Sequence, residues 1–193
     1  MSNPDDPRPW PRVGTEAGPN LIVCKARFDT LTNPRTDEDL RRVVLETPDW
    51  VNIVALTPER RLLVVRQFRF GSASVTTEIP GGMVDPGETS EQGARRELRE
   101  EAGFTSERWT YLGAVEPNPA IHDNLCHHWL AEDARKTHDL DLDAGEDIVV
   151  GTLSFDEVRE QVRDGSIRHS LVLTALSRVM DLGIGATEWS GSS

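Results

Sequence analysis

Residues 81–104 read Gly81-Gly82-Met83-Val84-Asp85-Pro86-Gly87-Glu88-Thr89-Ser90-Glu91-Gln92-Gly93-Ala94-Arg95-Arg96-Glu97-Leu98-Arg99-Glu100-Glu101-Ala102-Gly103-Phe104. The first half is rich in turn formers. The second half has helical periodicity, so the spacing predicts a helix over Ser90–Ala102. Thr89 is its expected N-cap and Gln92 completes a capping box, while Gly103 stands where a helix stops. On that helix Glu97, Glu100 and Glu101 fall at i, i+3 and i+4 and project from one side, beside the apolar stripe Ala94, Leu98 and Ala102. Arg95 and Arg99 point away to solvent. Like charges at this spacing repel by a few tenths of a kcal/mol per pair, about 0.2–0.5, and Arg96, four residues before Glu100, offsets part of it. A solvated acidic face is the bland explanation. It is weakened by the Gly-Gly and Pro-Gly entry, which lets backbone come close to a ligand. Clustered carboxylate oxygens suit hard divalent cations, Mg²⁺ first and Mn²⁺ as the alternative.

Strand-like segments precede the helix: Leu21–Phe28, Arg41–Leu45, Trp50–Leu56, Leu62–Phe70 and Val75–Ile79, parted by turn formers such as Asn33-Pro34 and Thr57-Pro58-Glu59. Further strands are expected at Trp109–Val115, Leu125–Ala131 and Ile148–Leu153. Ser154 with Glu157 forms a second capping box on a helix that Gly165 closes. A last helix, Ser170–Leu182, carries Val172, Ala175, Leu176, Val179 and Leu182 on one stripe. Strands, helix, strands, then helices predict an α+β fold with α/β/α layering, not a βαβ array. The expected divisions are a Pro-rich flexible arm at 1–19, N-terminal strands at 20–49, the main domain at 50–182 and a flexible Gly/Ser-rich tail at 183–193.

The chain has 193 residues, 33 acidic against 21 basic, and a formal charge of −12. That balance opposes binding of nucleic acids or anionic membranes, whose affinity comes from neutralising phosphates. A small phosphorylated ligand would need a cation to mask the repulsion. No stretch approaches the ~18 apolar residues of a membrane span. The acidic, Pro-rich N-terminus is unlike a secretory signal. Two cysteines, Cys24 and Cys126, make no disulfide framework, which points to a reduced, cytoplasmic setting.

Gly82, Glu88 and the run Arg96-Glu97-Leu98, Glu100-Glu101, Gly103-Phe104 occupy every fixed position of the Nudix box, so the chain resembles Nudix hydrolases. The resemblance implies a loop-helix-loop motif in an α/β/α sandwich around a mixed sheet. It also implies metal-dependent hydrolysis of a nucleoside diphosphate linked to another moiety. By it Glu97 and Glu101 are metal ligands, Glu100 is a further ligand that also serves catalysis, and the Gly81 carbonyl is a backbone ligand. Glu88 and Arg96 orient the site.

Flanking residues narrow the branch. Val65-Arg66-Gln67-Phe68-Arg69-Phe70 and Thr77-Glu78-Ile79-Pro80-Gly81-Gly82 are similar to the segments that enter the box in ADP-ribose pyrophosphatases. Those enzymes carry a proline where this chain has Pro119, in Pro117-Asn118-Pro119-Ala120. Many of them read Ser-Pro-Gly, and the departure leaves room for other nucleoside diphosphate sugars. Gly145-Glu146-Asp147 resembles the acidic loop that supplies the catalytic base, with Glu146 the first choice and Asp147 the reserve. The implied reaction yields NMP and a sugar phosphate, with Glu146 taking a proton from a water whose pKa a cation has lowered. Arg69 is the expected phosphate- or base-binding side chain, with Arg66 behind it. Three positions apart on a strand, the two face opposite ways, so one of them reaches the ligand. Glu78 and Pro119 complete the substrate set. Trp50 fits base stacking and core packing equally. The resemblance further implies a homodimer whose N-terminal strands help build the neighbour's site.

Other readings compete. His122, Cys126, His127 and His128 suggest zinc, but strand alternation splits them between two faces. His138 sits in a polar loop and reads as solvated. Ser170 after His169 has no partner acid at suggestive spacing. Within the enzyme class, nucleotide sanitising or dinucleoside-polyphosphate hydrolysis are the alternatives. Outside it stands a non-catalytic nucleotide sensor, which degraded box carboxylates would favour; none is degraded.

Overall fold

The computed structural model describes residues 6–143, 145 and 147–183. The chain divides into two compact units, one of residues up to Pro48 with Glu116–Asn124, the other of Asp49–Val115 with the chain from Leu125 on.

In the first unit, β1 (Arg12–Asn20), β2 (Lys25–Thr32) and β3 (Asp39–Glu46) form an antiparallel sheet in that order. Two expectations are corrected here. Part of the arm expected at 1–19 is not flexible chain, because residues 12–19 belong to the edge strand β1. Proline is tolerated at an edge, where its missing N–H faces no partner, and the ladder shifts register between Ala17 and Asn20, around Pro19. The strand expected from Leu21 begins only at Lys25. Leu21 to Cys24 make the hairpin turn, in which the Leu21 amide donates to the Cys24 carbonyl and Ile22 adopts φ 75°. Buried Asp29 is held by Thr15, Arg27 and Arg12. Arg27 also reaches Glu46 and Asp123.

The second unit contains β4 (Trp50–Ala55), β5 (Leu62–Arg69), β6 (Ser74–Glu78), α1 (Ser90–Ala102), β7 (Phe104–Thr105), β8 (Arg108–Val115), β9 (Cys126–Glu132), β10 (Arg135–Lys136), β11 (Val149–Leu153), α2 (Phe155–Arg163) and α3 (Ser170–Ser177). Strands β4, β9 and β8 form one sheet, with β4 parallel to β9 and β8 antiparallel to it. Strands β11, β5 and β6 form an antiparallel sheet. Strand β4 is apolar except for Asn52, because both of its faces are covered. Val51, Ile53 and Ala55 pack with Ala94, Leu98 and Ala102 of α1 and with Trp129 and Ala131. Val54 and Leu56 pack with Leu62, Val64 and Ile79 and with Val158, Val172 and Leu176 of α2 and α3. Helices therefore lie on both sides of the strands, as the order of elements predicted. Leu98 is fully buried at the centre of the α1 seam; truncating such a side chain to alanine costs about 2–5 kcal/mol.

Both capping boxes are present, Thr89 with Gln92 and Ser154 with Glu157. Gly103 closes α1 in the left-handed region at φ 72°, where an added Cβ would lie 2.4 Å from the His138 carbonyl oxygen. The last helix stops at Ser177 rather than Leu182. Arg178, at its C-cap, turns its guanidinium onto the Leu112 and Ala114 carbonyls. Leu182 still reaches the core through the irregular segment that follows.

Candidate active site

The loop before α1 is fastened to β4 as a short ladder. Ile53 N–H donates to the Pro80 carbonyl at 2.8 Å, Val51 N–H to the Gly82 carbonyl at 2.9 Å, and Val84 N–H to the Asp49 carbonyl at 2.8 Å. The Gly81 carbonyl falls between the two that are used and takes no part in the ladder. The Gly81 N–H turns to α1 and donates to Glu101 Oε2 at 2.8 Å. Glycine is needed at both positions for close approach. A Cβ on Gly81 would lie 2.2 Å from the Val51 carbonyl oxygen, and one on Gly82 would lie 2.3 Å from Glu97 Oε1.

Docking the Ala94, Leu98, Ala102 stripe draws the neighbouring carboxylates in. Glu101 is 3 % exposed and Glu97 9 %, whereas Glu100 is half-buried. Ionised groups stay so deep only when paired, hydrogen-bonded or bound to metal. Arg96 supplies part of this. Its Nη1 donates to Glu97 at 2.8 Å and to Glu100 at 3.1 Å, its Nε to Glu88 at 3.0 Å, and its Nη2 to the Met83 carbonyl at 2.8 Å. The bonds to Glu88, more than burial opposes, raise the Arg96 pKa; the same bonds hold Glu88 below the ordinary carboxylate range. Arg95 is not simply solvated, since its guanidinium lies 4.9 Å from the Trp109 ring centroid.

Among the described residues, no three His, Cys, Asp or Glu side chains converge as a closed metal-ligand set. Glu97, Glu100 and Glu101 share the helix side that their spacing predicted. Arg96 holds the first two, and the third bonds to the Gly81 amide. The group still suits a hard cation. Its donors are all oxygen, two of the carboxylates are nearly sealed from water, and a guanidinium cation already sits among the same oxygens.

Beside this loop lies a cavity of about 680 Å³, with Trp50, Asn52, Arg69, Glu78, Gly82 and His169 in its wall. Arg69 grips Glu78 through two parallel bonds, Nε to Oε1 at 2.8 Å and Nη2 to Oε2 at 2.6 Å, and Thr76 donates to Oε1 at 2.6 Å. Burial, at 2 % exposure, pushes the Glu78 pKa up, but Arg69 and Thr76 together outweigh it and leave the carboxyl below its usual value. Trp50 is half-buried, belongs to neither apolar core and lines the cavity. Arg66 is exposed and is not in that wall. The two arginines thus stand in different surroundings, as their three-residue spacing on β5 requires.

Pro119 sits in an exposed turn of the first unit, whereas the cavity wall is drawn from the second. Glu146 lies outside the described residues, and Asp147 is exposed. The zinc reading is dispersed. Cys126 donates to Asn52 Oδ1, and burial lifts its pKa to about 12. His128, fully buried and without a hydrogen-bond partner among the described residues, is pushed down to about 4 by burial and then by Arg178 and His127. His127 faces the other way and bonds Asp49 and Tyr111, and His122 belongs to the first unit. Sequence reasoning missed Asn52, Arg168 and His169 in the cavity wall. No local pattern marks them, because the fold alone brings the starts of β4 and α3 to one cavity.

The NUDIX domain model matches residues 47–173. An ADP-ribose pyrophosphatase of Bacillus subtilis (strain 168) is 36 % identical over 93 residues, covering 48 % of this chain and 50 % of that protein; the aligned stretch thus spans half of the relative. A methanol dehydrogenase activator of Bacillus methanolicus is 28 % identical over 155 residues, 80 % of this chain and 83 % of that one. A crystal structure of an ADP compounds hydrolase superposes with a TM-score of 0.79 at 20 % identity, covering 91 % of this chain and 94 % of that chain.

Proposed function

This chain belongs to the NUDIX domain family, and from that premise we propose that it hydrolyses the pyrophosphate bond of ADP-ribose or a related nucleoside diphosphate sugar, giving NMP and a sugar phosphate. The observation that carries the reading is the pairing of two nearly sealed carboxylates, Glu97 and Glu101, with the close-packed Gly81-Gly82 backbone, beside a cavity walled by Trp50 and the Arg69–Glu78 pair. The name of the Bacillus subtilis relative supports ADP-ribose as the first substrate to try.

NUDIX hydrolases generally use divalent metal ions, and Mg²⁺ is the ion proposed here, with Mn²⁺ as the alternative. Glu97, Glu101 and the Gly81 carbonyl would hold it, with Glu100 as a further ligand. When bound, the cation screens the diphosphate against a chain of charge −12 and lowers the pKa of water. The remaining roles fall to the chain. Arg96 keeps Glu97 and Glu100 oriented through its paired bonds and fixes the loop through the Met83 carbonyl. Trp50 offers a flat apolar face to a base. Arg69, already neutralised by Glu78, stands in the cavity wall, where it would meet a polar ligand group without adding net charge. Glu146 removes the proton from the attacking water, with Asp147 in reserve; this step contributes about 10²–10⁴ in rate.

Incubating the protein with ADP-ribose and a panel of sugar nucleotides, with and without Mg²⁺, tests the proposal. Metal-dependent NMP release is expected, and none from any substrate overturns it. Light scattering on the eluting protein tests the accompanying proposal of a homodimer.

A further inference from the structure

Three side chains that no part of the reaction uses form a hydrogen-bonded chain at the foot of β4. Tyr111 Oη lies 2.9 Å from His127 Nδ1, His127 Nε2 lies 3.1 Å from Asp49 Oδ2, and Asp49 Oδ1 accepts the Leu125 N–H at 2.8 Å. A carboxylate only accepts, so Nε2 carries the hydrogen, Nδ1 is the acceptor and the tyrosine donates. The backbone of Asp49 meanwhile holds the other end of the loop, since its carbonyl accepts the Val84 N–H at 2.8 Å. Asp49 thus joins β9, through His127 and the preceding Leu125, to the segment that carries Gly81 and Gly82. That segment has no secondary structure of its own beyond its ladder on β4, and the Asp49–Val84 bond is the last rung.

We infer that Asp49, held by His127 and Tyr111, is a positioning residue that sets where the Gly81–Val84 backbone stands against Glu97 and Glu101. The inference rests on the proposed hydrolysis at that loop. The clearance there is small: no side-chain atom fits between Gly82 and Glu97, so a displacement of about 1 Å is enough to cost about 10²-fold in rate.

Asp49→Ala removes both carboxylate anchors, while Asp49→Asn can keep them. The amide oxygen accepts the Leu125 N–H, the amide nitrogen donates to His127 Nε2, and the imidazole switches tautomer and donates to Tyr111. Position therefore survives the asparagine and charge does not. For Asp49→Ala the expected result is a fall in kcat of about 10–100-fold with KM changed less than about threefold, at a temperature where the variant is fully folded. Amide exchange of Val84 in the metal-free protein should accelerate by about tenfold or more, while core amides of β5 keep their protection. Asp49→Asn should stay within about threefold of the parent in both. Should Asp49→Ala fail to fold, His127→Ala, which leaves the Leu125 bond, takes its place with the same split. An Asp49→Ala enzyme with parental kcat, or an Asp49→Asn variant as slow as the alanine, overturns the inference. An inactive parent overturns the functional reading instead.

Discussion

Arg69 and Arg96 both meet buried carboxylates in the second unit, but with opposite arithmetic. Arg69 saturates one carboxylate: Glu78 receives two guanidinium bonds and a threonine hydroxyl, and the pair is neutral. Arg96 is shared among Glu88, Glu97 and Glu100, with Asp85 at 3.7 Å and Glu101 on the next turn. Arg99 adds a second positive charge, through Glu100. Counting these side chains, five carboxylates against two arginines leave a formal −3. The first grouping is a finished piece of wall. The second is unsaturated in charge, with more carboxylates than cations among these side chains, and under the proposed reaction a divalent cation would balance it.

The largest effect expected lies on the unsaturated side. Glu101→Gln keeps the shape and the acceptor for the Gly81 N–H but removes a charge from the set that would hold the cation. Turnover of the best substrate should fall by about 10³-fold, the upper part of the range for losing one preorganised electrostatic contact, with the circular dichroism spectrum unchanged. A fall of less than tenfold would show the cluster to be merely a solvated helix face.

On the saturated side the expected loss is in stability. Arg69→Ala leaves a carboxylate at 2 % exposure with Thr76 as its side-chain hydrogen-bond donor among the described residues and His169 as a weaker charge influence, and breaking a buried pair from one side costs about 3 kcal/mol. The pH dependence gives the sign. In the parent, Glu78 titrates below its ordinary 4.5, so its contribution is present above 4.5 and is lost as pH falls through the depressed value. Without Arg69, burial dominates and lifts the Glu78 pKa, so the variant's deficit is greatest at neutral pH. Urea melts at pH 7 and pH 4.5 should show the gap between parent and variant narrowing at the lower pH. A constant gap would mean that Glu78 is not what the substitution exposes.

These contrasts mark how far the sequence could be read. Both capping boxes, the α1 bounds and the side shared by Glu97, Glu100 and Glu101 were legible, because each depends on residues within a few positions of one another. Strand β1 was not, because its Pro19 and glycines argue against a strand and only pairing with β2 overrides them. Nor was the engagement of Arg69 by Glu78, nine residues away across the β5–β6 hairpin: the sequence marks both as site residues without showing that they neutralise each other. His169 enters the cavity wall through tertiary packing alone.

Gly82 tests how closely the unsaturated cluster is packed. In Gly82→Ala the new Cβ meets the end of the Glu97 side chain, at 2.3 Å from Oε1 and 2.5 Å from Cδ, rather than backbone. A flexible end can move, so the stability loss should stay within about 1 kcal/mol, in the range of ordinary point changes. The displaced carboxylate should lower kcat by about tenfold or somewhat more. Thermal melts and steady-state rates on the same preparation separate the two. A large stability loss with intact turnover would mean that Glu97 is held for the fold and not for the cation.

Arg66 supplies the smallest effect and the sharpest control. It shares a strand with Arg69, carries the same charge and pairs across the sheet with Thr77, next to Glu78. Yet it is exposed and absent from the cavity wall. If charge near the site were what mattered, Arg66→Ala and Arg69→Ala would raise KM alike, since both remove one positive charge from an acidic chain. If the alternation of β5 decides, Arg66→Ala should leave stability within about 0.5 kcal/mol of the parent. Its kcat/KM should stay within about twofold at 0.15 M salt, where exposed charges farther apart than about 8 Å are largely screened. Repeating the pair of assays at 0.01 M salt lengthens that range to about 30 Å. Any long-range contribution of Arg66 should therefore appear there and vanish on adding salt, whereas the Arg69 effect, resting on a buried contact, should persist at both.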